Sequence, residues 1–120
     1  MIVHVVLFNP KPNLEQAQIE LFAQSLTETF GTIPAISRVV VGRRVAVDPG
    51  YERSFGDKTY EFSASIEFES QERLAEYLTH PKHEVLGRLF WEVCESTIVA
   101  EHEVVDGRSP DLRSILLGAR

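Results

Sequence analysis

The sequence predicts one α+β domain whose strands and helices follow one another in the order βαββαβ. Residues 60–68 alternate strictly between apolar and polar side chains, as a strand of a half-buried sheet does. An alternating run at 2–8 precedes a helical pattern of apolar residues at 14–30. The simplest arrangement is a four-stranded antiparallel sheet with its helices on one face, because right-handed crossovers place both helical segments on the same side.

The first strand, residues 2–8, is apolar on both of its faces. Alternate residues of a strand share a face. The two expected sets are His4, Val6 and Phe8 beneath the helices, and Val3, Val5 and Leu7 on the opposite face. A soluble monomer rarely exposes such a second apolar patch, so we expect two chains to pack sheet against sheet as a homodimer.

The first helix and the second strand are delimited by turn-forming residues. Asn13 is the predicted N-cap of the helix, and Gly31 is expected to close it. The β-branched segment from Ile36 to Val47 is predicted to be a strand, with a bulge or bend at Gly42. The polar segment 48–58 opens with an Asp-Pro-Gly turn signal and is expected to form a surface loop.

The segment Tyr77-Leu78-Thr79-His80-Pro81-Lys82-His83 concentrates side chains that can handle protons. Proline disfavours helix for the residue before it and suits the first turn of a helix. One helix, opened by Ser70, is therefore expected to end near Thr79, and another to begin at Pro81. Tyr77 and His83 would project from the two sides of this corner, and His4 from a strand beneath it.

The second helix of the corner is expected to run to about Cys94. A last strand, Ser96 to Val105, then completes a domain over residues 1–106. Residues 107–120 are predicted to form a C-terminal tail with a short apolar, helix-like segment.

Composition excludes several functional classes. The formal charge is −6, and no basic cluster exceeds Arg43-Arg44, so nucleic acid is not an expected partner. No apolar run approaches the roughly 20 residues of a membrane span, and we expect a cytoplasmic protein without a membrane partner. The lone Cys94 cannot form an intrachain disulfide and is expected to be a small buried apolar residue. No cofactor and no metal ion is expected.

Several short segments in fixed order carry a family resemblance. They are His4-Val5-Val6-Leu7-Phe8, Ile33-Pro34-Ala35-Ile36, Val41-Gly42, Phe68-Glu69-Ser70, Leu74, Tyr77, His80-Pro81-Lys82-His83 and Val105-Asp106. Together they resemble the stress-responsive A/B barrel family. The resemblance implies a ferredoxin-like protomer and a dimeric α+β barrel.

The resemblance also implies a site. One plant member of the family closes a polyketide ring by proton transfer in a pocket between sheet and helices, without metal or organic cofactor. Its catalytic positions match His4, Tyr77 and His83 here, whereas Phe62 and Leu26 replace a histidine and a tyrosine. The side chains that we expect to line a substrate pocket are Val6, Phe8, Phe22, Leu26, Phe62, Ala64, Leu86 and His102.

Two functional classes stay open. In the first, a small hydrophobic or aromatic molecule binds in the pocket, and His83 acts as general base in a cyclisation or isomerisation while Tyr77 or His4 stabilises the oxyanion. In the second, the protein is a non-enzymatic, stress-associated structural or interaction protein, and His80 and His83 only cap helix ends. A cofactor-independent oxygenase and a metal site built from His4, His102 and a carboxylate are weaker alternatives.

Overall fold

Eight strands and helices make up the part of the chain that the computed structural model describes, residues 1–47 and 58–118. In chain order they are β1 (Ile2–Pro10), α1 (Gln16–Thr32), β2 (Arg38–Arg43), β3 (Phe62–Phe68), α2 (Gln71–Leu78), α3 (Pro81–Val93), β4 (Cys94–Glu103) and α4 (Asp111–Leu117). The predicted order βαββαβ is confirmed, with the second helical segment divided into α2 and α3. The turn and nearly all of the loop predicted at 48–58 lie outside the described residues.

The four strands form one antiparallel sheet in the order β2-β3-β1-β4. Strand β1 is central and pairs with both β3 and β4, so that Val6 lies between Ala64 and Val99. Buried and half-buried residues alternate along β1. This is the predicted ferredoxin-like sheet, covered by helices on one face.

The core lies between the covered face of the sheet and the helices. Phe8 is its centre, with ring centroids 6.0 Å from Phe22 of α1, 5.6 Å from Phe62 of β3 and 5.1 Å from Phe90 of α3. A second cluster surrounds Phe68, which is fully buried beneath α2. Each fully buried aromatic side chain contributes on the order of 2–3 kcal/mol.

The opposite face of the sheet is not covered by the helices of the same chain. Its centre is the predicted apolar row Val3, Val5 and Leu7, whose side chains stay half-buried. On the flanking strands, Val40 and Ile98 are each about half exposed. An apolar surface of this kind is typical of a face that a second molecule covers.

Strands β2 and β3 are shorter than predicted, because their ladder ends at the pair Arg43 and Phe62. Just before Phe62 in the chain, the backbone bonds to the side chain of Asn9 instead of to β2. Asn9 Oδ1 accepts from the Glu61 backbone N–H at 2.8 Å, and Asn9 Nδ2 donates to the Thr59 carbonyl at 2.8 Å. A side chain therefore satisfies backbone groups that a longer ladder would have used.

Several local expectations are wrong. Gly31 does not close α1, because the helix continues to Thr32 and its C-cap is Ile33. The N-cap of α1 is Glu15 and not Asn13, and the Glu15 backbone N–H donates to the Gln18 side chain at 3.0 Å. Gly42 lies in regular pairing with Ser63 and forms no bulge. A Cβ at Gly42 would lie 3.3 Å from the Ser63 hydroxyl oxygen, a tight contact that would require the Ser63 side chain to shift slightly.

The N-terminus of α2, the helix that carries Tyr77, is capped by Ser70. The Ser70 hydroxyl oxygen accepts from the Arg73 backbone N–H at 3.2 Å. We expect Ser70→Ala to lower the free energy of unfolding by about 1 kcal/mol, the usual cost of losing an N-cap. Urea denaturation measures this loss. Ser65→Ala, on the uncovered face, is the control; an equal loss there would show that the cap contributes nothing specific.

Candidate functional site

The corner between α2 and α3 is held by local hydrogen bonds. At the end of α2 the Thr79 hydroxyl donates to the Ala75 carbonyl at 2.8 Å. His80 is the N-cap of α3, and its Nδ1 accepts from the Lys82 backbone N–H at 3.1 Å, with Pro81 in the first turn. Both helix bounds follow from the proline, as predicted. His80 is therefore a capping residue of the corner.

Three aromatic rings from three elements meet above the sheet. The centroid of Tyr77 lies 5.7 Å from that of His4 on β1 and 4.6 Å from that of His83 on α3, both in edge-to-face arrangements. Tyr77 is buried, and its ring also contacts Phe68 at 5.3 Å. The structure thus brings together the three residues that the sequence predicted as catalytic.

A fourth residue, Glu101, joins this group although the sequence analysis did not single it out. Glu101 lies opposite His4 in the β1–β4 ladder, and its Oε1 is 3.0 Å from His4 Nδ1. An ionised carboxylate only accepts hydrogen bonds, so Nδ1 carries the proton in this pair. The contact holds the buried His4 ring in place and leaves Nε2 for other partners.

A cavity of about 500 Å³ lies beside these rings, between α3 and strand β4. Its wall includes His4, Tyr77, His83 and Glu101, and the exposed Trp91 stands at its edge. A volume of this size is typical of pockets that hold small organic molecules. The other residues of the wall are Val6, Leu78, Leu86, Gly87, Phe90, Cys94, Glu95, Ser96, Thr97 and Val99.

The predicted pocket residues divide between the cavity and the core. Val6 and Leu86 line the cavity. The others of the helix-covered face do not line it and pack in the main core cluster instead: Phe8, Phe22, Leu26, Phe62 and Ala64. Their large side chains fill the space under α1, so the cavity is displaced toward the other edge of the sheet, next to β4.

The expectation that His102 shares a face with His4 is corrected by the strand register. His102 pairs with Val3, and Glu101 pairs with His4. Because paired residues lie on the same face of a sheet, His102 lies on the uncovered face and Glu101 on the covered one. His102 does not line the 500 Å³ cavity, and the two histidines, on opposite faces of the sheet, do not form a metal site.

Sequence reasoning missed the wall that α3 and β4 supply. Trp91 of α3 is 86% exposed and belongs to this wall. Thr97, Val99 and Glu101 alternate along β4 and therefore share one of its faces. This shared face was a usable signal. However, only the register between β4 and β1 shows that it lies on the same side of the sheet as His4.

Burial changes the protonation of the site. It lowers the pKa of His83 below its ordinary value of 6.5, and the nearby His4 lowers it further, while a hydrogen bond with the Leu78 backbone acts in the opposite direction. Burial also raises the pKa of Tyr77. At neutral pH, His83 is therefore an uncharged imidazole, which can accept a proton, and Tyr77 keeps its hydroxyl proton and can donate a hydrogen bond.

The thiol of Cys94 also lies on the wall. Burial raises its pKa, and a hydrogen bond with Thr97 and the charge of Lys11 partly oppose that rise. A thiol with a raised pKa is a poor nucleophile at neutral pH. Cys94 therefore contributes mainly apolar surface to the cavity.

Two structural features of residues 1–47 and 58–118 bear on partners. None of the helices there has the length and apolar character needed to cross a membrane. In the same ranges, no group of three or more His, Cys, Asp or Glu side chains is arranged to hold a metal ion.

The fold and this site define a ferredoxin-like protein with a pocket between sheet and helices. A sequence profile of the stress responsive A/B barrel domain matches residues 2–104. The chain belongs to this family. It is also similar to olivetolic acid cyclase from Cannabis sativa, with 28% identity over 94 residues, which covers 76% of this chain and 87% of the cyclase.

Solved structures support the same fold. A hydroxynitrile lyase from Passiflora edulis superposes with a TM-score of 0.70 at 17% identity, over 91% of this chain and 96% of the lyase. A protein from Thermobifida fusca, described as a dimeric ferredoxin-like protein of unknown function, superposes with a TM-score of 0.66 at 16% identity, over 86% and 90% of the two chains.

The proximity of His4 to His83 predicts a measurable coupling. We expect NMR titration to give His83 a pKa below 6.5, and His4→Gln to raise that pKa, because the electrostatic effect of His4 that opposes protonation of His83 is then absent. His102→Gln, on the opposite face, is the matched control and should leave it unchanged. An unaltered His83 pKa in His4→Gln would contradict the coupling.

Proposed function

We propose that this protein is a homodimeric enzyme that binds a small hydrophobic or aromatic molecule in the 500 Å³ cavity and performs cofactor-free proton transfer on it. One observation carries this proposal: His4, Tyr77 and His83, from three separate elements, lie together on the wall of that cavity. An isolated capping role for His83 would not need the other two. We place its action in the cytoplasm, as the sequence predicts.

His83 is the proposed general base. Its imidazole is uncharged at neutral pH because burial and His4 lower its pKa, so the ring is ready to accept a proton from a ligand. A base that is half-buried in a largely apolar cavity also competes less with water for that proton. The lowered pKa extends the active form of the base to slightly acidic pH.

Tyr77 and His4 are the proposed oxyanion-stabilising groups. Burial raises the pKa of Tyr77, so its hydroxyl remains a donor throughout the physiological range. His4 donates from Nδ1 to Glu101, so its Nε2 becomes a donor to an oxyanion only when the ring takes up a second proton. Donors fixed before the reaction stabilise developing negative charge without reorganising.

The reaction class is a cyclisation, an isomerisation or a lyase-type cleavage. In each, a base removes a proton and a donor holds the oxygen on which negative charge develops. The similarity to a cyclase and to a hydroxynitrile lyase supports this range of chemistry. Phe62 and Leu26 lie in the core and supply no polar group, so the polar chemistry would rest on His4, Tyr77 and His83.

The homodimer in this proposal uses the uncovered face of the sheet. Val3, Val5 and Leu7 form a half-buried apolar row at its centre, and a second copy related by a two-fold axis would cover it with the same row. Similar solved structures described as dimeric support the formation of a dimer. The cavity lies on the other face, so both copies would keep their own site.

The opposing candidate is a non-enzymatic structural or interaction protein. It is favoured by the local hydrogen bonds of the corner: His80 caps α3, and His83 bonds to the Leu78 backbone. In that case the histidines would stabilise the corner, and their replacement would reduce stability without altering any chemistry. The two candidates therefore differ in which property a His83 variant loses.

Proton abstraction by His83 can be measured directly. We expect the protein to catalyse exchange of the methyl protons of acetophenone in D₂O, and His83→Ala to lower the rate by about two to four orders of magnitude, the usual effect of losing a general base. Proton NMR follows the exchange. Tyr77→Phe should cost less, since water partly replaces a hydroxyl, and His4→Ala should weaken binding more than it slows exchange.

His102→Ala is the control for this experiment, because His102 lies on the opposite face of the sheet. Equal exchange by the unaltered protein and by His83→Ala would eliminate the general-base role. A His83→Ala protein that has lost stability, with no catalysis by the parent, would support the structural candidate.

Two experiments test the dimer: a measurement of its mass, and a substitution that introduces one charge at the proposed interface. Light scattering at micromolar concentration should give about twice the chain mass of 13.6 kDa. Val5→Asp should dissociate or unfold the dimer, because it places an unpaired charge in a buried interface. Val85→Asp, on the exposed surface of α3, carries the same charge and should stay dimeric. A monomeric parent protein would rule out the assembly.

A further inference from the structure

The charges around the cavity are of one sign. Two acidic side chains, Glu95 and Glu101, belong to its wall, and among the described residues no Lys or Arg does. The side chain of Glu101 is 42% exposed, so its carboxylate is in contact with both solvent and the cavity. A ligand entering between Glu95 and Glu101 therefore meets negative charge without a cationic partner.

Lys11 and Arg88 lie near this region, but neither belongs to the wall. Lys11 is close enough to Cys94 to lower the pKa of the thiol, yet its side chain is exposed and does not line the cavity. Arg88 of α3 is paired with Glu84 on the helix surface, with 2.7 Å between Nη2 and Oε1. Both cations are therefore screened by solvent from an occupant of the cavity.

Apart from the hydroxyls of Ser96 and Thr97, the remainder of the wall solvates an ion poorly. Leu86, Phe90 and Val99 present hydrocarbon, and an ionised ligand would lose water there without gaining a paired charge. A carboxylate ligand is disfavoured twice, by this loss of water and by repulsion from the two glutamates.

The polar groups of the wall match an uncharged oxygen. The Tyr77 hydroxyl is a donor, and the neutral His83 ring, which donates from one nitrogen to the Leu78 backbone, offers its other nitrogen as an acceptor. Glu101 is already engaged by His4 at 3.0 Å, which reduces its capacity to hold an ammonium group. A carbonyl or phenol oxygen makes hydrogen bonds with such groups and brings no net charge.

We infer that the cavity selects uncharged aromatic carbonyl or phenolic compounds and excludes carboxylates, with Glu95 and Glu101 as the residues that set this selectivity. The inference rests on the proposed function, because it names the substrate class of the same site. It assigns a specificity role to two residues outside the group of His4, Tyr77 and His83.

Three ligands of similar size but different charge test the selectivity: acetophenone, benzoate and benzylammonium. Trp91 is the only tryptophan of the chain and lies on the cavity wall, so its indole N–H signal in ¹⁵N NMR reports binding. At pH 7 we expect acetophenone to bind at least about tenfold more tightly than benzoate, given the cost of an unpaired charge in an apolar site. Benzylammonium should also bind more weakly than acetophenone.

The double variant Glu95→Gln and Glu101→Gln removes the repulsion while an amide oxygen at 101 can still accept from His4. We expect it to bind benzoate about tenfold more tightly than the parent does and acetophenone within about twofold. Glu92→Gln is the matched control, since it makes a single change of the same kind on α3 outside the wall. It should leave benzoate binding unchanged.

The outcomes separate the inference from the proposed function. Benzoate binding as tightly as acetophenone, or benzylammonium binding more tightly, would overturn the selectivity while leaving a ligand-binding site in place. Equal benzoate affinity in the parent and in the double variant would remove Glu95 and Glu101 from the specificity role. If none of the three ligands shifts the Trp91 signal up to millimolar concentration, both the inference and the proposed function fail.

Discussion

The register of β1 against its two neighbouring strands is the constraint on which the rest of the structure depends. It places His4 on the covered face, opposite Glu101 on β4 and Ile66 on β3. A shift of one residue would turn every side chain of β1 to the other face. His4 would then leave the corner, and the apolar row of the uncovered face would move into the core. The site and the proposed interface are thus two consequences of one pairing.

The same register explains why a polar residue is tolerated in the core. His4 is buried, and burial of an unsatisfied imidazole would be costly. Its contact with Glu101 and the edge-to-face packing of Tyr77 compensate for that cost. Glu101 therefore has two effects: it satisfies a buried group and adds negative charge to the cavity wall. Stability and ligand selectivity would both change if it were replaced.

The corner between α2 and α3 shows which features residue types alone can predict. Pro81 and the His80 cap follow from residue types alone, and they predicted both helix bounds and the pairing of Tyr77 with His83. The cavity wall was predicted less well. Val6 and Leu86 line it, whereas Phe8 and Phe62 fill the core because their rings pack on one another, at 5.6 Å, under α1. Which apolar residues surround a cavity depends on the packing of all of them together.

The sequence by itself determined the order of the elements, the two faces of β1 and the position of the helix corner, because alternation, helical spacing and proline act within a few residues of the chain. Only the tertiary structure decided that Glu101 and not His102 faces His4, and that the cavity opens beside β4 at Trp91. Those features depend on which residues of distant strands are paired. Strand register between segments almost a hundred residues apart leaves no local signal, since either face of β4 would satisfy the backbone hydrogen bonds equally well.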